Sequence, residues 1–168
     1  MIPMIVDSLK VSLISNNRLL LLKEPDAERY LAIVIGPFEA EAIAYQMQGV
    51  EVPRPLTHDL LKQVVTTLGA HFAHVVISEL KNDTFYATLV LNLSTGRRIE
   101  IDSRSSDAIA LALRANVTIY VDESVIADAG FAPDEDLSNA VTSEEKEKLL
   151  PFSDFIESLD LDDLGKEE

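Results

Sequence analysis

The chain has 168 residues, 47% hydrophobic content, a net charge of −15 and no cysteine. That is enough apolar material for one packed core, and the lack of cysteine excludes disulfides, thiolate metal sites and cysteine nucleophiles. Residues 1–121 hold 13 acids and 11 basic residues while residues 122–168 hold 16 and 3, an acidic tail that argues against tight, general binding to a nucleic-acid backbone.

From the N-terminus, Met1 to Lys10 shows no basic region followed by a long apolar run. No stretch anywhere approaches the roughly 20 apolar residues of a membrane span. A cytoplasmic protein without membrane association is expected. Ser15, Asn16 and Asn17 then precede the apolar run Leu19 to Leu22, a hairpin signal. Pro37 suits a first helical position, Glu39 and Glu41 a first turn, and Gly49 the site just past the end. Together they predict a helix over about 37–48. An extended piece, Val50 to Leu56, leads to a second helix over Thr57 to Leu68 closed by Gly69. Thr57 suits a cap, Asp59 complements the positive helix end, and Leu60, Leu61, Val64, Val65 and Leu68 make one apolar face.

The pattern then recurs. A shift of 66 positions lays Val11–Met47 over Ile77–Leu113, with Lys81-Asn82-Asp83 at the turn and Ile99 and Ile101 on Ile33 and Ile35. Asp107-Ala108-Ile109-Ala110 falls on Glu41-Ala42-Ile43-Ala44, agreement that chance alignment rarely gives. Ile99 and Ile101 alternate with Arg98, Glu100 and Asp102 as a strand does. A helix begins among Ser103 to Ser106 and runs to about Ala115, followed by an extended Val117 to Val121 and a helix over about Ser124 to Ala129. His71 and His74, three apart on a strand, should face opposite sides and share no metal.

The expected fold class is α+β, an internally duplicated unit of three mostly antiparallel strands plus helices. Residues 1–131 form the domain, with repeats at about 4–69 and 70–131, and residues 132–168 an acidic tail. Thr142 and Glu145 have capping-box spacing and Leu149, Phe152, Phe155, Ile156 and Leu159 recur at helical intervals, so the tail is expected to start as a helix and end disordered. The near-continuous apolar strands and helices predict more hydrophobic surface than one small body covers, hence a homo-oligomer. The tail is a candidate binding segment for a protein partner.

Two polar clusters interrupt the apolar text at helix starts: Arg54-Pro55-Leu56-Thr57-His58-Asp59 and Asp102-Ser103-Arg104-Ser105-Ser106-Asp107. A helix start offers free amides and a positive dipole end to an anion. The arginines, acids and His58 add anion positioning, metal binding through carboxylate and proton transfer to the chemistry available there. Ordinary capping by Thr57 and one of Ser103, Ser105 or Ser106, with Asp59 and Asp107 complementing helix dipoles, accounts for the same residue types. The glycine-rich phosphate loop, the Gly-x-Ser-x-Gly elbow and the His-Glu-x-x-His motif are all absent, and paired surface aromatics for base stacking are not evident. No organic cofactor is expected.

Over roughly residues 4–131 the sequence resembles the bifunctional nuclease domain family. The matching text includes Leu31 to Gly36, Arg54-Pro55-Leu56-Thr57-His58-Asp59-Leu60-Leu61, Phe85-Tyr86-Ala87 and Ser106-Asp107-Ala108-Ile109-Ala110-Leu111-Ala112-Leu113-Arg114. The family's Arg-Pro-Ser-Asp appears here as Arg104-Ser105-Ser106-Asp107, without the proline at the helix start. The resemblance implies metal-assisted phosphodiester hydrolysis of RNA or DNA. In that reading Asp102 and Asp107 hold magnesium or manganese, His58 with Asp59 manages a proton, and Arg54 and Arg104 offset phosphate charge. The rival reading is a non-catalytic assembly or regulatory module whose tail binds a partner.

Overall fold

A computed structural model describes residues 1–11 and 18–132. The chain runs β1 (Ile2–Val11), β2 (Arg18–Lys23), β3 (Tyr30–Ile35), α1 (Pro37–Met47), α2 (Thr57–Thr67), then β4 (Ala70–Lys81), β5 (Thr84–Leu93), β6 (Arg98–Arg104), α3 (Ser105–Ala115), β7 (Ile119–Val121), α4 (Glu123–Ala129) and β8 (Gly130–Phe131). The architecture is α+β, and three antiparallel strands followed by helices occur twice along it. The turn expected at Ser15 to Asn17 and the tail from residue 133 onward lie outside the described residues.

The strands form one mixed sheet in the order β6-β5-β4-β7-β1-β2-β3-β8. The β1-β2-β3 and β4-β5-β6 sets are antiparallel, and β7 joins them, parallel to β4 and antiparallel to β1. Asn82 and Asp83, both at positive φ, make the two-residue β4–β5 turn, whose handedness matches strand twist. In β3, Leu31, Ile33 and Ile35 enter the main core while Tyr30 faces the other way and stacks on Phe131 of β8 at 5.8 Å.

α3 lies on β4 and β5, flanked by α1 and α2. Its run Ala108-Ile109-Ala110-Leu111-Ala112 is fully buried, since alanines let the backbone approach the sheet while Ile109 and Leu111 each contribute about 1.5–3 kcal/mol of burial. α1 follows its sequence signals: Pro37 opens it, and Gly49 at φ 63 ends it with amide bonds from Gly49 to Gln46 and from Val50 to Tyr45, a Schellman closure.

Three sequence expectations need correction. Thr57 is not a cap, because the chain turns one residue earlier at Leu56, whose amide donates to the Asp59 carboxylate at 2.9 Å. Nor do Ser103, Ser105 or Ser106 cap α3, which starts from Arg104 without a side-chain cap. A register shift between Phe72 and His74 puts His71 opposite Asn92 and His74 opposite Val90, so the bulge returns both histidines to one face. His74 there accepts from Arg98 Nη2 at 3.0 Å and meets Tyr120 edge-on. Among the described residues, no helix is long and apolar enough to cross a membrane.

Candidate active site

Each of α1, α2 and α3 carries an acid at its third position: Glu39, Asp59 and Asp107. Acids there complement the dipole and the unpaired amides of a helix start. Two arginines tie them together. Arg104 donates through Nη2 to Glu39 Oε1 and through Nε to Asp107 Oδ2, both at 2.7 Å. Gly36, the residue before α1, leaves room for the Glu39 carboxylate to fold back over the backbone, space a Cβ would fill. The second oxygen of Asp107 meets His58 Nε2 at 2.9 Å. One chain of short bonds thus joins the N-terminal turns of all three helices.

Arg114 makes the second tie. Its side chain, 3% exposed, donates through Nε to Asp59 Oδ1 at 2.6 Å, and through Nη1 and Nη2 to the carbonyls of Ala110 and Ala42, each at 3.0 Å. Lys62 Nζ donates to the Arg114 carbonyl at 2.6 Å, neutralising the negative end of α3. An open groove of about 420 Å³ lies beside this tie, lined by Gln46, Asp59, Lys62, Gln63, Thr66 and Arg114.

The charge states follow from these contacts. Burial pushes the Asp107 carboxyl up, but hydrogen bonds from Arg104 and His58 outweigh it and hold the acid below its ordinary value. Asp59 is likewise raised by burial and brought lower overall by the Leu56 amide and Arg114. The Arg104 guanidinium is held above its ordinary value by Asp107 and Glu39. Because an ionised carboxylate only accepts hydrogen bonds, His58 Nε2 carries the proton toward Asp107, which leaves Nδ1 as the ring nitrogen pointing away from this contact. Among the described residues Nδ1 has no hydrogen-bond partner, and neither has Nη1 of Arg104, whose side chain is 67% exposed. The arrangement is a histidine oriented by a carboxylate beside an accessible cation, at the meeting point of three positive helix ends.

A family model for the bifunctional nuclease domain matches residues 20–134. The chain belongs to the bifunctional nuclease domain family. It is similar over 159 residues, at 43% identity and 94% of both chains, to uncharacterized proteins of two Mycobacterium tuberculosis strains. It is also similar to Bifunctional nuclease 1 of Oryza sativa subsp. indica, 24% identical over 118 residues, spanning 69% of this chain and 36% of the rice protein. Bifunctional nuclease 1 of Arabidopsis thaliana is 23% identical over 103 residues, 60% of this chain and 32% of its own.

Of the residues singled out in the sequence, this bifunctional nuclease domain brings His58, Arg104 and Asp107 into one network and places Asp59 in the buried Arg114 tie. Arg54 is exposed in the bend before α2 and, among the described residues, makes no hydrogen bond or ion pair. Asp102 stands apart. It pairs with Thr88 across β5–β6, so it shares Thr88's face, opposite the Ala87 and Leu89 side chains that meet α3 in the core. With both oxygens of Asp107 engaged by protein, Asp102 and Asp107 do not fit as joint ligands of one magnesium or manganese ion. Among the described residues, no group of three or more His, Asp or Glu side chains gathers into a metal site built from protein ligands alone. Glu39 and Arg114 were not singled out as site residues from sequence, although an arginine in the otherwise apolar Ala108–Ala115 run signals a need for buried partners.

Proposed function

We propose that this domain cleaves phosphodiester bonds of RNA or DNA at the His58–Asp107–Arg104 network. Family membership supports the reaction class, and the unpaired Nδ1 of the buried His58 beside the exposed Arg104 supports the place. The scissile phosphate sits against Arg104 and the converging helix ends, which offset its charge as the transition state forms. His58 Nδ1 takes the proton from the attacking hydroxyl, of water or of the ribose, as that oxygen bonds to phosphorus; the bond from phosphorus to the leaving oxygen breaks, the leaving oxygen takes a proton from solvent, the imidazolium returns its own to solvent, and Asp107 keeps the ring in the productive tautomer. Asp107 and Glu39 are positioning residues, since they reach the substrate through His58 and Arg104. No step is assigned to a divalent ion, because the candidate ligands lie apart.

A second reading is favoured by one observation: every carboxylate of the network already has a protein partner, as in a structural clip of a non-catalytic assembly or regulatory module. Cleavage of labelled RNA and DNA by highly purified protein, with magnesium, with manganese and with chelator, separates the two. His58→Ala is expected to lower kcat/KM at least about tenfold, roughly 1.4 kcal/mol of barrier, with the melting curve retained. Equal activity in the folded variant would assign the cleavage elsewhere and leave the clip.

A further inference from the structure

α2 is amphipathic in the reverse of the usual sense. Its polar side faces the protein, with His58 on Asp107, Asp59 on Arg114 and Lys62 on the Arg114 carbonyl. Its apolar residues look outward: Leu60, Leu61, Val64 and Leu68 are 55%, 42%, 44% and 79% exposed. These positions fall along one stripe of the helix. They leave on the order of 400 Å² of contiguous apolar surface in water, the size of the largest patch on a typical monomer, which is often a functional surface.

We propose that this stripe packs against the same stripe of a second copy of the chain, around a two-fold axis near Val64. Charge selects that occupant. All charged side chains of α2 are turned to α3, leaving Thr57, Leu60, Leu61, Gln63, Val64, Thr66 and Thr67, with Leu68 at its C-terminal end, as its exposed residues. Residues 122–168 of each copy hold 16 acids against 3 basic residues, so two copies repel where these segments approach one another, and an uncharged face on the near-neutral body is where they meet without placing like charges together. A nucleic acid finds no cation on the stripe. Residues 133–168, with 13 acids and 3 basic residues, find none to receive them either. The size also fits: about 400 Å² of apolar area, at the roughly 60% apolar share of interfaces, implies about 700 Å² per copy against a standard of about 800 Å².

Light scattering on the full chain at micromolar concentration tests this. The expected mass is twice 18.5 kDa, and Val64→Glu and Leu68→Glu, each checked by melting curve, are expected to give monomers. Leu68 is so exposed that its substitution cannot unfold an isolated copy, so it decides alone if Val64→Glu fails to fold. A mixture of Val64→Glu with Val64→Lys is expected to return to the doubled mass through opposite charges across the axis. A monomeric wild type overturns the proposal, as does an undiminished mass in folded Val64→Glu and Leu68→Glu. Failure of the charge-complementary mixture to reassociate overturns the two-fold pairing. None of these readings depends on nuclease activity.

Discussion

Replacing Arg114 by methionine keeps the apolar stem while deleting the guanidinium that joins α1, α2 and α3. The deletion removes the bond to Asp59 and the two bonds to the carbonyls of Ala42 and Ala110. Breaking a buried ion pair from one side costs about 3–5 kcal/mol, because the remaining charge is stranded. Asp59 is 31% exposed, which lets water recover part of its solvation, but two carbonyls also lose donors worth about 1 kcal/mol each. The balance is a loss of about 3–5 kcal/mol and a fall in Tm of roughly 10–20 °C for a domain of this size. Adding Asp59→Leu to Arg114→Met removes the stranded carboxylate and should restore about half of the loss, although the Leu56 amide loses its acceptor. Thermal melts and urea titrations of the two single variants and the double variant measure the coupling directly. An Arg114→Met protein melting within about 3 °C of wild type, or strictly additive effects, would refute the clamp.

Acid stability carries a second signature. The carboxyls of Asp59 and Asp107 lie below the usual 3.8 in the folded chain, so their stabilisation is fully present above that value and is lost as pH falls through the lower folded values. Asp107→Asn should therefore flatten the acid limb of a Tm-versus-pH curve, and an unchanged limb would contradict the assignment. Asp102→Asn is expected to leave cleavage rate and its metal response unaltered, while Asp107→Asn lowers kcat at least about tenfold; equal losses in both would restore a shared ion. Gly49→Ala meets nothing within 4 Å but must hold φ 63, so it should cost about 1–2 kcal/mol in a urea titration without altering the native fold. A chain ending at residue 132 is expected to melt cooperatively, and loss of a single transition would show that the tail belongs to the core.

The local grammar of the sequence was legible where the deciding groups are neighbours. Pro37 and Gly49 frame α1 within two residues of its ends, and Asn82-Asp83 marks a tight hairpin, because each feature is enforced by its own backbone geometry. The resemblance located His58, Arg104 and Asp107, but their connection was not legible. His58 finds Asp107 across 49 positions and Arg104 finds Glu39 across 65. Periodicity showed that α2 has an apolar face but not which way it points. The charges at 59 and 62 found better partners on α3 than water, and that pulled the polar side inward. The bulge beside His74 inverted a face assignment based on counting by two, since one extra residue changes the parity of everything after it.

The position of β7 carries a consequence for synthesis. Only three residues long, it is the strand that joins β4 to β1, and two residues of β8 close the far edge beside β3. Both are made after nearly all of the rest of the sheet has left the ribosome. Until residue 131 emerges, β1 and β3 present open edges, the kind that recruit strands from neighbouring nascent chains. Translation pauses or truncation before Ile119 should thus yield insoluble fragments rather than a folded first half, and the last dozen described residues act as the stitch that commits the whole sheet at once.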